Sequence, residues 1–129
     1  MTVLIIGGAY QGKRQFAKDR FGLQDMDFIS GETCTPAAFA HAKAVDGLHS
    51  YIRRFMEQDN SEILQKLNGK IVICNEIGCG VVPVEQEQEL WREKTGRICC
   101  DFAKQAEIVV RVHAGLGHIL KGQIGGGVP

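Results

Sequence analysis

A lysine set behind glycines and a carboxylate set behind a buried strand are the two places where residue type and spacing suit chemistry. The first is Gly7-x-x-x-x-Gly12-Lys13, which follows the apolar run "VLII" and precedes a helical stretch. Such spacing suits a phosphate-binding loop. Glycines let backbone N–H groups turn toward phosphate oxygens, the following helix adds the positive end of its dipole, and the lysine reaches the outer phosphates. A nucleotide would then contact Gly7, Gly8, Ala9, Gly12, Lys13 and Arg14, with Lys13 also acting on the transferred group. The competing reading is a plain glycine turn with a solvated lysine.

Arg14 breaks the pattern. Loops of this kind place Ser or Thr after the lysine to hold Mg²⁺, and a guanidinium has no acceptor to offer a metal. Either Arg14 contacts phosphate itself and takes over part of the charge neutralisation, or it points along the first helical turn to a carboxylate such as Asp19. The first arrangement is expected, with weaker metal dependence than usual. Tyr10 and Gln11 are also bulkier than the small residues common in such loops.

The second place is "ICNEIGCGVVP", where Asn75 and Glu76 close an apolar strand. Side chains at a strand's carboxyl end project into the ligand crevice of a parallel sheet. Asn75 is therefore a candidate nucleotide contact. Glu76 is a candidate catalytic acid that binds Mg²⁺ through water, or else an acceptor of backbone N–H bonds that fixes the loop. Gly78 and Gly80 permit a tight turn, and Pro83 fixes the entry to the next helix. His41 and His49 are the central histidines, and His41, beside Phe39, is the candidate covalent nucleophile. His113 and His118 flank a glycine turn but lack the third ligand of a metal site.

The elements that must position these residues follow from apolar patterning. Residues 2–6 read as a strand buried on both faces, and Lys13 to about Phe21 as a helix stopped by Gly22. "MDFIS" is a second strand. Thr35-Pro36 caps a helix whose stripe of Phe39, Val45, Leu48, Ile52, Phe55 and Met56 keeps helical spacing to about Gln58. A short helix from Ser61 ends at Asn68-Gly69, "KIVICNE" is a strand, and a long helix spans about 85–105. Its inward stripe is Trp91, Thr95, Ile98, Phe102 and Ala106. "AEIVVRVHAG" and "HILKG" are the last strands. Strands alternating with helices imply a three-layer α/β domain with a mostly parallel sheet and a phosphate loop after its first strand, the P-loop NTPase type. One domain is expected over 1–122, with 123–129 a flexible glycine-rich tail.

Composition excludes several classes. Fifteen acidic residues balance fifteen basic ones, so net charge points neither to nucleic acid nor to an anionic membrane. No apolar run nears the roughly 20 residues of a membrane span, and Gly7 and Gly8 interrupt any signal-like segment. Five cysteines without disulfide or zinc-ribbon spacing read as small apolar fillers in a reducing cytoplasm.

"NEIGCGVVP", "GRICC", "AEIVVRVHAGLGHILK" and the glycine loop together resemble the adenosylcobinamide kinase / adenosylcobinamide-phosphate guanylyltransferase family. The matching positions are Gly7, Gly8, Gly12, Lys13, Asn75, Glu76, Gly78, Gly80, Pro83, Gly96, Ala106, Glu107 and Gly115. The resemblance covers about 2–30 and 70–121, in a chain shorter than is usual for the family. It implies ATP or GTP as substrate, with Mg²⁺, and a role in cobalamin biosynthesis. The family phosphorylates the aminopropanol arm of adenosylcobinamide, then transfers GMP onto that phosphate through a guanylylated histidine. It also implies a homo-oligomer, a trimer.

Between Ser30 and Lys70 the chain lacks the basic histidine segment, the Arg-Pro and the Trp that the resemblance calls for, and the strand carrying its metal-binding acidic residue is not evident. Cys99-Cys100 stands where the family has Asn-Gln. The kinase step is therefore the expected activity, with guanylylation absent or slow. The alternative is a catalytically reduced nucleotide-binding or regulatory homologue.

Overall fold

The computed structural model describes residues 1–77 and 85–124. Its strands are β1 (Val3–Gly7), β2 (Phe28–Ser30), β3 (Ala44–Asp46), β4 (Ile71–Asn75), β5 (Ile108–His113) and β6 (Leu116–Lys121). They form one sheet in the order β2-β3-β4-β1-β5-β6. All neighbouring pairs are parallel except β5–β6, an antiparallel hairpin at the edge. The helices are α1 (Lys13–Phe21), α2 (Pro36–His41), α3 (Leu48–Arg54), α4 (Asn60–Leu67) and α5 (Gln86–Gln105).

β1 is central, and its side chains alternate between two cores, as a strand buried on both faces requires. Val3 and Ile5 pack with Phe16 and Ala17 of α1, Ile73, Val110 and Val112. Leu4 faces the other way, into a cluster with Leu48, Ile52, Ile63, Leu67, Ile98 and Phe102 from α3, α4 and α5. Phe39 of α2 stacks on Tyr51 of α3, ring centroids 3.8 Å apart. Each such fully buried side chain stabilises the fold by about 1.5–3 kcal/mol.

Local signals act as expected at several ends. Gly22, at φ 66°, closes α1, and its N–H bonds the Lys18 carbonyl. The Thr35 side chain accepts the Ala38 N–H at the start of α2. Of the expected inward stripe of α5, Thr95, Ile98, Phe102 and Ala106 are buried and Trp91 is partly so. Ile124 is buried in the α1 core, so it does not belong to the loose tail expected from 123. Residues 125–129, and the loop residues Gly78, Gly80 and Pro83, lie outside the described residues.

The single helix expected from Pro36 to about Gln58 is instead helix, strand, helix. α2 ends after six residues, Ala42 turns extended, and β3 inserts between β2 and β4. Val45 does keep helical spacing from its neighbours, but sheet pairing decides the outcome. Ala44 and Val45 bury in opposite cores, which a strand achieves and a helix face does not. Gly47, at φ 95°, then turns the chain from β3 into α3.

Thr95 offers a stability test. Its hydroxyl is buried without a hydrogen-bond partner among the described residues, a state that costs about 1–3 kcal/mol of desolvation. Thr95→Val keeps the shape and removes the polar atom. Thermal unfolding is expected to move up by about 3–5 °C; a fall would mean the hydroxyl does have a partner.

Candidate active site

The sheet order reverses direction around β1: the chain leaves it for the β2 edge, returns through β3 and β4, then crosses to β5. Crevices at the carboxyl ends of strands beside such a reversal are where open α/β sheets bind ligands. A cavity of about 510 Å³ lies there, lined by the loop residues 9–14 together with Ser30, Glu32, Asp46, His49 and Asn75.

The loop between β1 and α1 is shaped by its glycines. Gly12 sits at φ 86° as the residue before α1, and a side chain at Gly7 would strike the Val112 carbonyl oxygen. Tyr10 takes φ 62° and is fully exposed. Gln11 has a role its bulk does not advertise. Its backbone carbonyl accepts the Gly115 N–H at 2.8 Å and its side-chain Oε1 accepts the Ala114 N–H at 2.6 Å, so it fastens the loop to the β5–β6 turn.

Lys13 is only 7% exposed, and its Nζ donates to the Gly8 carbonyl at 2.6 Å. Burial holds its ammonium below the ordinary lysine range, against the opposing pull of Asp46, Cys74 and Glu76. An ammonium has three donors, so the Gly8 carbonyl leaves two for a ligand.

Arg14 adopts the carboxylate-paired arrangement, with other carboxylates than Asp19. Its Nη1 donates to Asp46 Oδ2 at 2.9 Å and its Nη2 lies 3.4 Å from Asp25 Oδ1, while the guanidinium lies over the Phe28 ring at 4.3 Å. It still lines the cavity. Lys18 first, then Arg14, hold the Asp25 carboxyl below its usual range.

Asp46 is the acidic residue that sequence patterning does not single out. It ends β3 opposite Ile73, and its own carbonyl accepts the Gly31 N–H at 2.8 Å. Glu76, expected in that role, accepts Arg111 Nε at 2.6 Å, while its backbone N–H bonds the Gly7 carbonyl. The carboxylates that line the cavity are thus Asp46 and Glu32. Asn75 reaches it as expected, and His49 joins it. His41 does not. α2 runs back toward the amino end of the sheet, where the Ala40 carbonyl accepts Lys70 Nζ just before β4, and His41 is exposed there. His113 and His118 form no metal cluster, nor does any group of three or more His, Cys, Asp or Glu among the described residues.

A signal for Asp46 exists: "AVDG" is two apolar residues, a carboxylate and a turn glycine, the outline of a short strand's carboxyl end. The helical spacing across it hides that outline.

A mostly parallel α/β sheet thus carries, on one crevice at its strand ends, a lysine-bearing glycine loop and an aspartate. Residues 38–120 match the model of the family described as cobinamide kinase / cobinamide phosphate guanyltransferase. That is well over half of the chain, and the chain belongs to this family. No curated protein matches it. The matched span includes β3 and Asp46, in the stretch that the sequence resemblance leaves out, and it begins after the loop at 7–13. No helix among the described residues is long and apolar enough to cross a membrane.

Proposed function

We propose that the cavity binds a nucleoside triphosphate by its phosphates and that the protein phosphorylates a cobinamide-type corrinoid in cobalamin assembly. The observation that carries this reading is the meeting of Lys13, Arg14 and Asp46 at one cavity on the strand ends. In-line phosphoryl transfer needs positioning and charge stabilisation more than covalent help from the protein. The corrinoid's terminal hydroxyl oxygen attacks the γ-phosphorus, the bond to the diphosphate breaks, and the hydroxyl proton is released. Lys13 balances the charge that gathers on the diphosphate.

Mg²⁺ fits these residues as an ion shared with phosphates, because it takes one or two carboxylates and completes its shell with phosphate oxygens and water. Asp46 would hold it, with Glu32 as the second carboxylate on the cavity. When bound, the ion supplies further neutralisation of the phosphates. Guanylyl transfer is the weaker half of the reading, since His41 lies away from the cavity.

Arg14 sets the metal dependence. Its ion pair with Asp46 opposes the release of that carboxylate to a cation, so Arg14→Ser should tighten Mg²⁺-supported nucleotide binding several-fold and enlarge the loss caused by EDTA. Titrating ATP into both proteins, with and without Mg²⁺, checks this. Identical responses would mean that the pair does not control the site.

The same ion pair favours a second reading, a nucleotide-binding homologue without transferase activity, its acidic residue held by Arg14. Incubation with cobinamide, ATP and GTP, followed by mass analysis of corrinoid and protein, separates the two. Phosphocobinamide supports the kinase; nucleotide binding without any product supports the homologue. Assembly as a trimer belongs to the same proposal, from family resemblance, and a monomer by light scattering at micromolar concentration would remove it.

A further inference from the structure

His49 is held in one ring orientation and one tautomer. Its Nδ1 lies 3.1 Å from the backbone nitrogen of Asn75. A backbone N–H can only donate, so Nδ1 must carry the lone pair, and in a neutral imidazole the proton then sits on Nε2. The residue is anchored from a second side, because its carbonyl accepts Trp91 Nε1 of α5 at 2.8 Å. Burial first, then Lys13, push the imidazole below its ordinary titration range, and Asp46 and Glu32 oppose this more weakly. Protonation would also set a second N–H against that of Asn75. The ring is thus neutral by electrostatics and by geometry. Among the described residues Nε2 has no hydrogen-bond partner, and His49 lines the same cavity as Lys13 and Asp46.

We propose that His49 is a fixed, uncharged hydrogen-bond donor to a phosphoryl oxygen bound beside Lys13, and that the bond which fixes it bars it from acting as the guanylylated nucleophile. This rests on reading the cavity as a phosphate site. A nucleophilic Nε2 needs a lone pair, and the tautomer that supplies one puts an N–H on Nδ1, facing the N–H of Asn75. The lock that makes His49 a good donor therefore makes it a poor nucleophile. A neutral donor adds direction without adding charge to a cavity that already holds Lys13 and Arg14.

The test has two arms on the full chain. Long-range ¹H–¹⁵N correlation spectra of the labelled protein should show the Nε2–H tautomer for His49 at neutral pH. Inorganic triphosphate, used as the probe, should then shift its Nε2 resonance. In calorimetry His49→Phe should weaken triphosphate binding about tenfold, the scale of one hydrogen bond to a charged oxygen, and His49→Gln should recover most of it. An Nδ1–H tautomer, an imidazolium at neutral pH, or a GMP adduct on His49 after incubation with GTP would overturn the proposal. Normal triphosphate binding with an unmoved His49 resonance would overturn the donor role alone. No triphosphate binding by the unaltered protein would overturn both that role and the phosphate-site reading. The spectra need no variant, so they decide the matter even where His49→Phe fails to fold.

Discussion

Asp46→Asn should lower phosphoryl transfer by roughly 10²-fold, the upper range for disturbing the immediate surroundings of a metal, while the protein stays folded. Two contributions of Asp46 can be separated. Its backbone carbonyl, which receives the Gly31 N–H, knits the ends of β2 and β3 together and is kept in the variant. Its carboxylate is a third exposed and pairs with Arg14, and a pair so placed is worth at most about 1 kcal/mol. Stability should therefore change little and activity greatly. A single-turnover assay with ATP and cobinamide, read beside a thermal melt, measures both. Glu76→Gln is the comparison, because the Glu76 carboxylate serves Arg111. Should Glu76→Gln abolish transfer and Asp46→Asn leave it intact, the acidic role would belong to Glu76 after all.

Why Glu76 stands out in the sequence and Asp46 does not has a physical cause. β4 is four continuous apolar residues followed by Asn75, so whatever follows it is visibly at a strand's end. β3 has three residues, too few to show a period of two, and it exists because β2 and β4 flank it. Pairing of that kind is tertiary information and leaves little local trace. The same holds for His41 and His49. With one helix drawn through both, they become neighbours along one element, and His41 beside Phe39 looks the better candidate. The strand between them sends the two to opposite ends of the sheet.

Features governed by backbone geometry are easier to read. The glycine loop after β1, the helix from Lys13 to Gly22, the Thr35 cap, the buried stripe of α5 and the mostly parallel α/β sheet all follow from residue types whose conformational preferences are strong. Side-chain partners are harder. From sequence, Arg14 belongs at phosphate, or paired with a carboxylate such as Asp19 on its own helix. Its actual partners, Asp46 and Asp25, come from other elements, which no local pattern could name. Gln11 is similar: a long polar residue in a tight loop looks awkward until the β5–β6 turn supplies the N–H groups it accepts.

Lys13→Ala should weaken triphosphate binding by at least about 1.5 kcal/mol, the scale of a charge-assisted hydrogen bond, or more than tenfold. Transfer should fall further than binding, because Lys13 also meets charge that develops only as the phosphoryl group leaves. The surroundings of Lys13 suit this role. Lys13 is a buried residue whose ammonium donates to the Gly8 carbonyl within the loop, and partial desolvation makes its charge less favourable than in water. A bound phosphate would relieve that cost, so ligand binding should raise the proton affinity of Lys13. The sign follows directly. Affinity depends on the charged lysine, so it should decline as pH rises through the lowered pKa of Lys13, and Lys13→Arg, which keeps its charge, should lose this alkaline limb. Lys13→Met tests the same strain from the folding side. Exchanging a desolvated ammonium for an apolar chain of similar length is neutral or stabilising when the charge has no fixed counter-ion. Binding lost while the melting temperature holds or rises would mark a residue kept for its ligand. Unchanged triphosphate affinity in Lys13→Ala would leave the loop as a glycine turn and nothing more.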